Sequence, residues 1–120
     1  MYDVQDIIRE VEERGYCKVP NVIPAEKADE ARLVLDDLLA AEASEETRQS
    51  GSQRVGRLAV KHPIFIELMC NPLVLDVWST WMGDDIICSS WTANTMYPGH
   101  QKIGWHADYP YWSKKPPWPT

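Results

Sequence analysis

Along the first two-thirds of the chain apolar residues recur at helical spacing, and from Ile86 that period gives way to an alternating one. Ile86, Cys88, Ser90, Thr92, Asn94 and Met96 fall on one face of an extended segment, and Ile87, Ser89, Trp91, Ala93, Thr95 and Tyr97 on the other. Pro98-Gly99 marks a turn, after which Lys102 to Asp108 reads as a second strand. Pro110, Pro116, Pro117 and Pro119 then exclude a further central strand, because proline has no N–H for a ladder. Helices first and strands last predict an α+β fold. Two strands make a very small sheet, so the chain is expected to stop just after its sheet begins.

The helical part divides at its own punctuation. Val4, Ile7, Ile8 and Val11 follow Asp3 as an N-cap and precede Gly15, predicting a first helix from about Asp3 to Arg14. Tyr16 to Val19 reads as a short strand closed by Pro20. Pro24 opens a second helix, in which Ala28, Ala31, Leu35, Leu38 and Leu39 form the buried stripe while Glu30, Asp36 and Asp37 face water. That helix should fade near Ala43, and the polar run Ser44 to Ser52, with Gly51, is expected to be a mobile loop. His62-Pro63 starts a helical segment through Met69; Asn71-Pro72 restarts it, and Leu73, Val74, Val77, Trp78 and Trp81 carry the apolar face to Gly83. Trp78, Trp81 and Trp91 are assigned to helix and sheet packing. No repeat or second boundary interrupts the chain, so residues 1–120 are read as part of a single domain, helical over about 1–83 and stranded over about 86–120.

Charge and aromatic content are spread unevenly, and this narrows the partners. Residues 1–50 hold 13 acids and 6 bases, whereas residues 51–120 hold 5 and 6, giving the net charge of −6. The acidic half is the solvated face of helices, and neither half resembles a phosphate-backbone footprint, so no nucleic-acid partner is expected. Nine of the twelve aromatics lie at or beyond Trp78, where a binding surface is therefore expected. No apolar run approaches the ~18 residues of a membrane span, and Asp3 and Asp6 stand where a leader would be basic and then apolar. The expectation is a cytoplasmic protein without a membrane partner. Cys17, Cys70 and Cys88 have no CxxC spacing and read as reduced packing residues.

His106-Ala107-Asp108 is the sharpest local feature. On a strand, residues two apart point to one side with Cα atoms about 6.6 Å apart, so imidazole and carboxylate can converge on one ion. They supply two of the three ligands of a two-His, one-carboxylate facial triad, which leaves positions open on Fe(II). Taken alone, the pair fits equally well a strand-end His bonded to a neighbouring acid. A third ligand is not obvious. His100, six positions before His106, would lie about 20 Å away along an extended segment and would need a sharp loop to reach. His62 reads as a residue that starts a helix.

The order of Gly15-Tyr16 through Val19-Pro20-Asn21-Val22-Ile23-Pro24, the helix after it, the paired helical segments from His62-Pro63 to Gly83, Ser90-Trp91-Thr92-Ala93-Asn94, Pro98-Gly99 and Gly104-Trp105-His106-Ala107-Asp108-Tyr109 resembles the phytanoyl-CoA dioxygenase family. The resemblance covers nearly the whole chain and is motif-specific around His106. It implies helices packed on the start of a double-stranded β-helix, a jelly-roll barrel, and an oxygenase that uses Fe(II), 2-oxoglutarate and O₂. His106 and Asp108 would be metal ligands. Thr92 and Asn94, on one strand face, would hydrogen-bond the cosubstrate carboxylate, the alternative being a polar face in water. Arg54, or Arg57 beside it, falls near the family's basic residue, although an Arg on a loop is more often solvated. Trp112 would line the pocket, while Trp105 would point away from the metal.

Only twelve residues follow Asp108, with no His or Arg among them, so the family's distal His and cosubstrate-binding Arg have no counterpart here. The chain is accordingly expected to be the N-terminal portion of an oxygenase acting on a small organic or acyl substrate, with little turnover by itself. The rival expectation is a non-catalytic half-barrel that pairs with another chain, or with itself, through exposed strand edges.

Overall fold

The structure, a computed structural model, describes residues 2–99 and Gly104. His106, Asp108 and Trp112, together with Trp105 and His100, lie outside the described residues, as does the expected strand Lys102 to Asp108 apart from Gly104.

The first helix, α1 (Val4–Arg14), begins where Asp3 accepts a hydrogen bond from the Gln5 N–H at 2.8 Å. It ends at Gly15, whose φ of 80° is left-handed and suits a residue without Cβ. Ile7 and Ile8 are its buried face, and it packs on α5 (Pro72–Met82). Tyr16 to Val19 forms no strand among the described residues. Tyr16, Cys17 and Val19 instead line an open apolar groove of about 360 Å³ with Ile7, Val11 and Trp78. Cys17 and Val19 are half-buried there while Tyr16 stays 58% exposed, so the segment meets helices rather than a ladder. Trp78 and Trp81 stack on each other with centroids 5.7 Å apart, yet stay 44% and 37% exposed, so they pack less completely than expected.

A second cluster lies between the remaining helices and the sheet. Val55, Leu58, Ile64 and Phe65 are buried there, with Ala31, Val34, Leu35, Leu38 and Leu39 of α2 (Ala25–Ala41) against them. The helix ends two residues earlier than expected. Its buried stripe also differs, since Ala28 is exposed and Val34 takes part. The Lys27–Glu67 ion pair joins α2 to α4 (Pro63–Met69). His62 is the N-cap of α4, its Nδ1 accepting from the Ile64 N–H at 3.2 Å, and Asn71 caps α5 in the same way. Both caps are followed by proline at the first helical position, where the missing N–H is not needed.

The expected loop over Ser44 to Ser52 is instead a short helix, α3 (Glu45–Ser50), and the start of a strand, β1 (Ser52–Val55). Ser44 and Thr47 cap each other reciprocally: the Ser44 side chain takes the Thr47 N–H and the Thr47 hydroxyl oxygen takes the Ser44 N–H. Gly51, at φ 73°, then turns the chain into β1. That strand pairs antiparallel with β2 (Ala93–Met96) in the register Ser52↔Met96, Gln53↔Thr95, Arg54↔Asn94, Val55↔Ala93. The fold is thus α+β, with a two-stranded sheet among the described residues. The alternating run from Ile86 to Tyr97 is a strand only over Ala93–Met96, for β1 offers four partners and no more. Residues before Ala93 leave the ladder; Ile87 is 88% exposed.

Candidate functional site

The two strands divide their side chains between a covered and an open face. Gln53 and Val55 are buried and Ala93 and Thr95 half-buried, all on the side packed against α2, whereas Arg54, Asn94 and Met96 are exposed on the other. Arg54 and Asn94 stand directly across from each other. The Tyr97 N–H donates to the Gly51 carbonyl at 2.9 Å, and antiparallel pairs alternate, so Arg54↔Asn94 falls at a non-hydrogen-bonded position, where side chains are closest. Thr92 joins them: a Cβ added to Gly56 would lie 4.0 Å from Thr92 Oγ1, so Thr92 continues the open face two positions from Asn94. A guanidinium, an amide and a hydroxyl are therefore gathered beside one another. This set of donors suits a carboxylate.

Arg57 does not belong to this group. Its φ of 57° is left-handed, an uncommon conformation for a residue with a Cβ, and it takes the chain out of the ladder. The next N–H, that of Leu58, consequently bonds the Trp91 carbonyl at 3.0 Å. Of the two arginines weighed from the sequence, Arg54 is the one brought to Thr92 and Asn94, and it sits on a strand rather than a loop.

Sequence reasoning missed Gln53. It is 2% exposed, donates through Nε2 to the Leu39 carbonyl at 2.8 Å and accepts at Oε1 from the Tyr97 hydroxyl at 2.6 Å. The available signal was the alternation Gln53-Arg54-Val55, hidden because polar Ser44 to Ser52 suggested a loop running up to it. Trp91 Nε1 is buried without a partner among the described residues. Cys17 Sγ donates to Glu10 Oε2 at 3.2 Å. That hydrogen bond, then burial and the Glu10 charge, push the thiol up from its ordinary range against a weaker pull from Arg14. It is a poor nucleophile at neutral pH.

Among the described residues no group of three or more His, Cys, Asp or Glu side chains is gathered to hold a metal. No described helix is long and apolar enough to cross a membrane. The phytanoyl-CoA dioxygenase (PhyH) family matches residues 11–120, a span that takes in β1, β2 and His106-Ala107-Asp108. The chain belongs to the phytanoyl-CoA dioxygenase family. It is similar to dioxygenase af480 of Aspergillus fumigatus, at 26% identity over 117 residues covering 88% of this chain. The match spans 37% of the length of that curated relative. No solved structure matches. For a phytanoyl-CoA dioxygenase family member, the described residues thus supply helices, one strand pair and its open polar face.

Proposed function

We propose that this chain is the N-terminal portion of a dioxygenase that uses Fe(II), 2-oxoglutarate and O₂ to hydroxylate a small organic or acyl substrate. Family membership and the dioxygenase-named relative support the oxygenase class. The observation that carries the cosubstrate reading is the register that sets Arg54 across from Asn94, with Thr92 alongside, on the uncovered face of the sheet. In this reading the sheet is the start of a double-stranded β-helix whose interior is that open face, helices covering the other side.

The donor chemistry fits the metal: an imidazole and a carboxylate two positions apart, His106 and Asp108, would hold Fe(II) and leave open positions for small ligands. When bound, the iron supplies the oxidative chemistry that couples decarboxylation of 2-oxoglutarate to hydroxylation of the substrate. The chain's own residues orient the reactants. Arg54 neutralises and clamps a carboxylate of 2-oxoglutarate, and Thr92 and Asn94 donate hydrogen bonds to it. The three cysteines are free, which agrees with a cytoplasmic setting.

The test is succinate release from 2-oxoglutarate with Fe(II) and ascorbate, using the full product of the gene. Release should be lost in Asp108→Ala; release unchanged in that variant overturns the reading. Each strand has one ladder partner among the described residues, which favours a second reading as a half-barrel that pairs with another chain through its free edges. That reading predicts stable oligomers without iron and no succinate.

A further inference from the structure

The inward positions of the two strands are Gln53, Val55, Ala93 and Thr95, of which Val55 alone is a large apolar side chain. A slip of one residue in β1 would turn Val55, 0% exposed, out to water, and one in β2 would turn exposed Asn94 and Met96 inward in place of half-buried Ala93 and Thr95, so burial opposes both. A slip of two keeps Val55 inside. Four-residue strands with small or polar inward side chains discriminate poorly against that second kind of slip, yet it would place Thr92 or Met96, not Asn94, across from Arg54.

Beside the packing of Trp91 on the core cluster, what opposes it is polar. The Gln53 amide is held at both ends, Nε2 on the Leu39 carbonyl of α2 and Oε1 under the Tyr97 hydroxyl, and Tyr97 is the residue that follows β2. Sliding β2 so that Thr92 meets Arg54 carries Tyr97 two residues further from Gln53. Sliding it the other way removes the Tyr97 N–H from the Gly51 carbonyl and brings the ring beside Gln53, with its hydroxyl past the amide. We propose that Gln53 and Tyr97 are positioning residues, whose part-buried hydrogen bond sets the β1–β2 register and so decides which side chain stands opposite Arg54. That Arg54 and Asn94 hold a cosubstrate rests on the function proposed above; the register does not.

Disulfide trapping reads this geometry without any ligand. In the chain with Cys17, Cys70 and Cys88 changed to serine, Arg54→Cys is combined in turn with Asn94→Cys, Thr92→Cys or Met96→Cys. A non-hydrogen-bonded antiparallel pair has Cα atoms about 4.5 Å apart, inside the disulfide range of about 4.4–6.8 Å, so the first combination should oxidise fastest. Tyr97→Phe keeps the ring and its packing while deleting the hydroxyl. It should lower the yield of the Asn94→Cys combination relative to the two slipped ones by about fivefold, the weight of one hydrogen bond, and Gln53→Leu by at least as much. A melting temperature falls whether the pair is structural or positioning, whereas the ratio of trapped pairs moves only in the second case. A ratio unchanged in Tyr97→Phe overturns the proposal, and because trapping is blind to 2-oxoglutarate, that failure is separable from failure of the proposed function.

Discussion

Arg54→Met separates a binding role from a structural one. The substitution keeps the side-chain stem and removes the guanidinium from an exposed strand position that has no ion-pair partner among the described residues. Removal of such a group should change folding stability by no more than about 0.5 kcal/mol. A carboxylate bonded to the guanidinium, by contrast, draws about 1.5–3 kcal/mol from a charged hydrogen bond, so 2-oxoglutarate affinity should fall about 10- to 160-fold. The residue before it behaves in the opposite sense. Gln53→Leu orphans the Leu39 carbonyl and the Tyr97 hydroxyl, and at about 1–3 kcal/mol for each of these part-buried groups it should destabilise by about 2–6 kcal/mol. Urea unfolding and anaerobic calorimetric titration of 2-oxoglutarate with Fe(II), run on parent and variants together, measure both quantities. An Arg54→Met variant that loses more than about 1 kcal/mol of stability, or binds within about twofold of the parent, would refute the assignment of this side chain to the cosubstrate.

Three further outcomes follow from the packing and electrostatics. Phe65→Ala, at 4% exposure in the cluster beneath β1, should cost about 3–5 kcal/mol in urea unfolding, and a loss below about 1 kcal/mol would mean that this cluster is not the core. Trp91→Phe should stay within about 2 kcal/mol of the parent, because the indole N–H it removes has no partner among the described residues; a larger loss would reveal an acceptor for it. With its raised pKa, Cys17 keeps its proton at neutral pH, and the stabilisation this gives is present below the unfolded thiol's range and lost as pH rises through the folded one. Iodoacetamide should therefore label exposed Cys70 and Cys88 before Cys17 at neutral pH, the lag closing in alkali and in Glu10→Gln; equal labelling of all three at neutral pH would contradict the Glu10 contact.

Caps and period made the helices legible. Asp3 with Gly15, His62 with Pro63 and Asn71 with Pro72 are local signals, each satisfied within a few residues, and all three helices begin where those signals stand. The strands were less legible because their partners are remote. Ser52–Val55 owes its extended form to Ala93–Met96, some forty residues on, and four residues of alternation inside a polar stretch gave too little pattern to separate strand from loop. The same distance hid Gln53, whose burial depends on Leu39 and Tyr97 arriving from two other elements. On the site, the strand face shared by Thr92 and Asn94 was readable from their spacing. That Arg54 joins them required the register, a property of two segments together and of neither alone.

The claim that His106 and Asp108 hold Fe(II) is tested most directly by anaerobic absorption spectroscopy, since a 2-oxo acid chelated to ferrous iron gives a visible charge-transfer band. Adding Fe(II) and 2-oxoglutarate together to the full product of the gene should produce that band, and His106→Ala and Asp108→Ala should each abolish it. A band of undiminished intensity in both variants, or none in the parent, would contradict the claim.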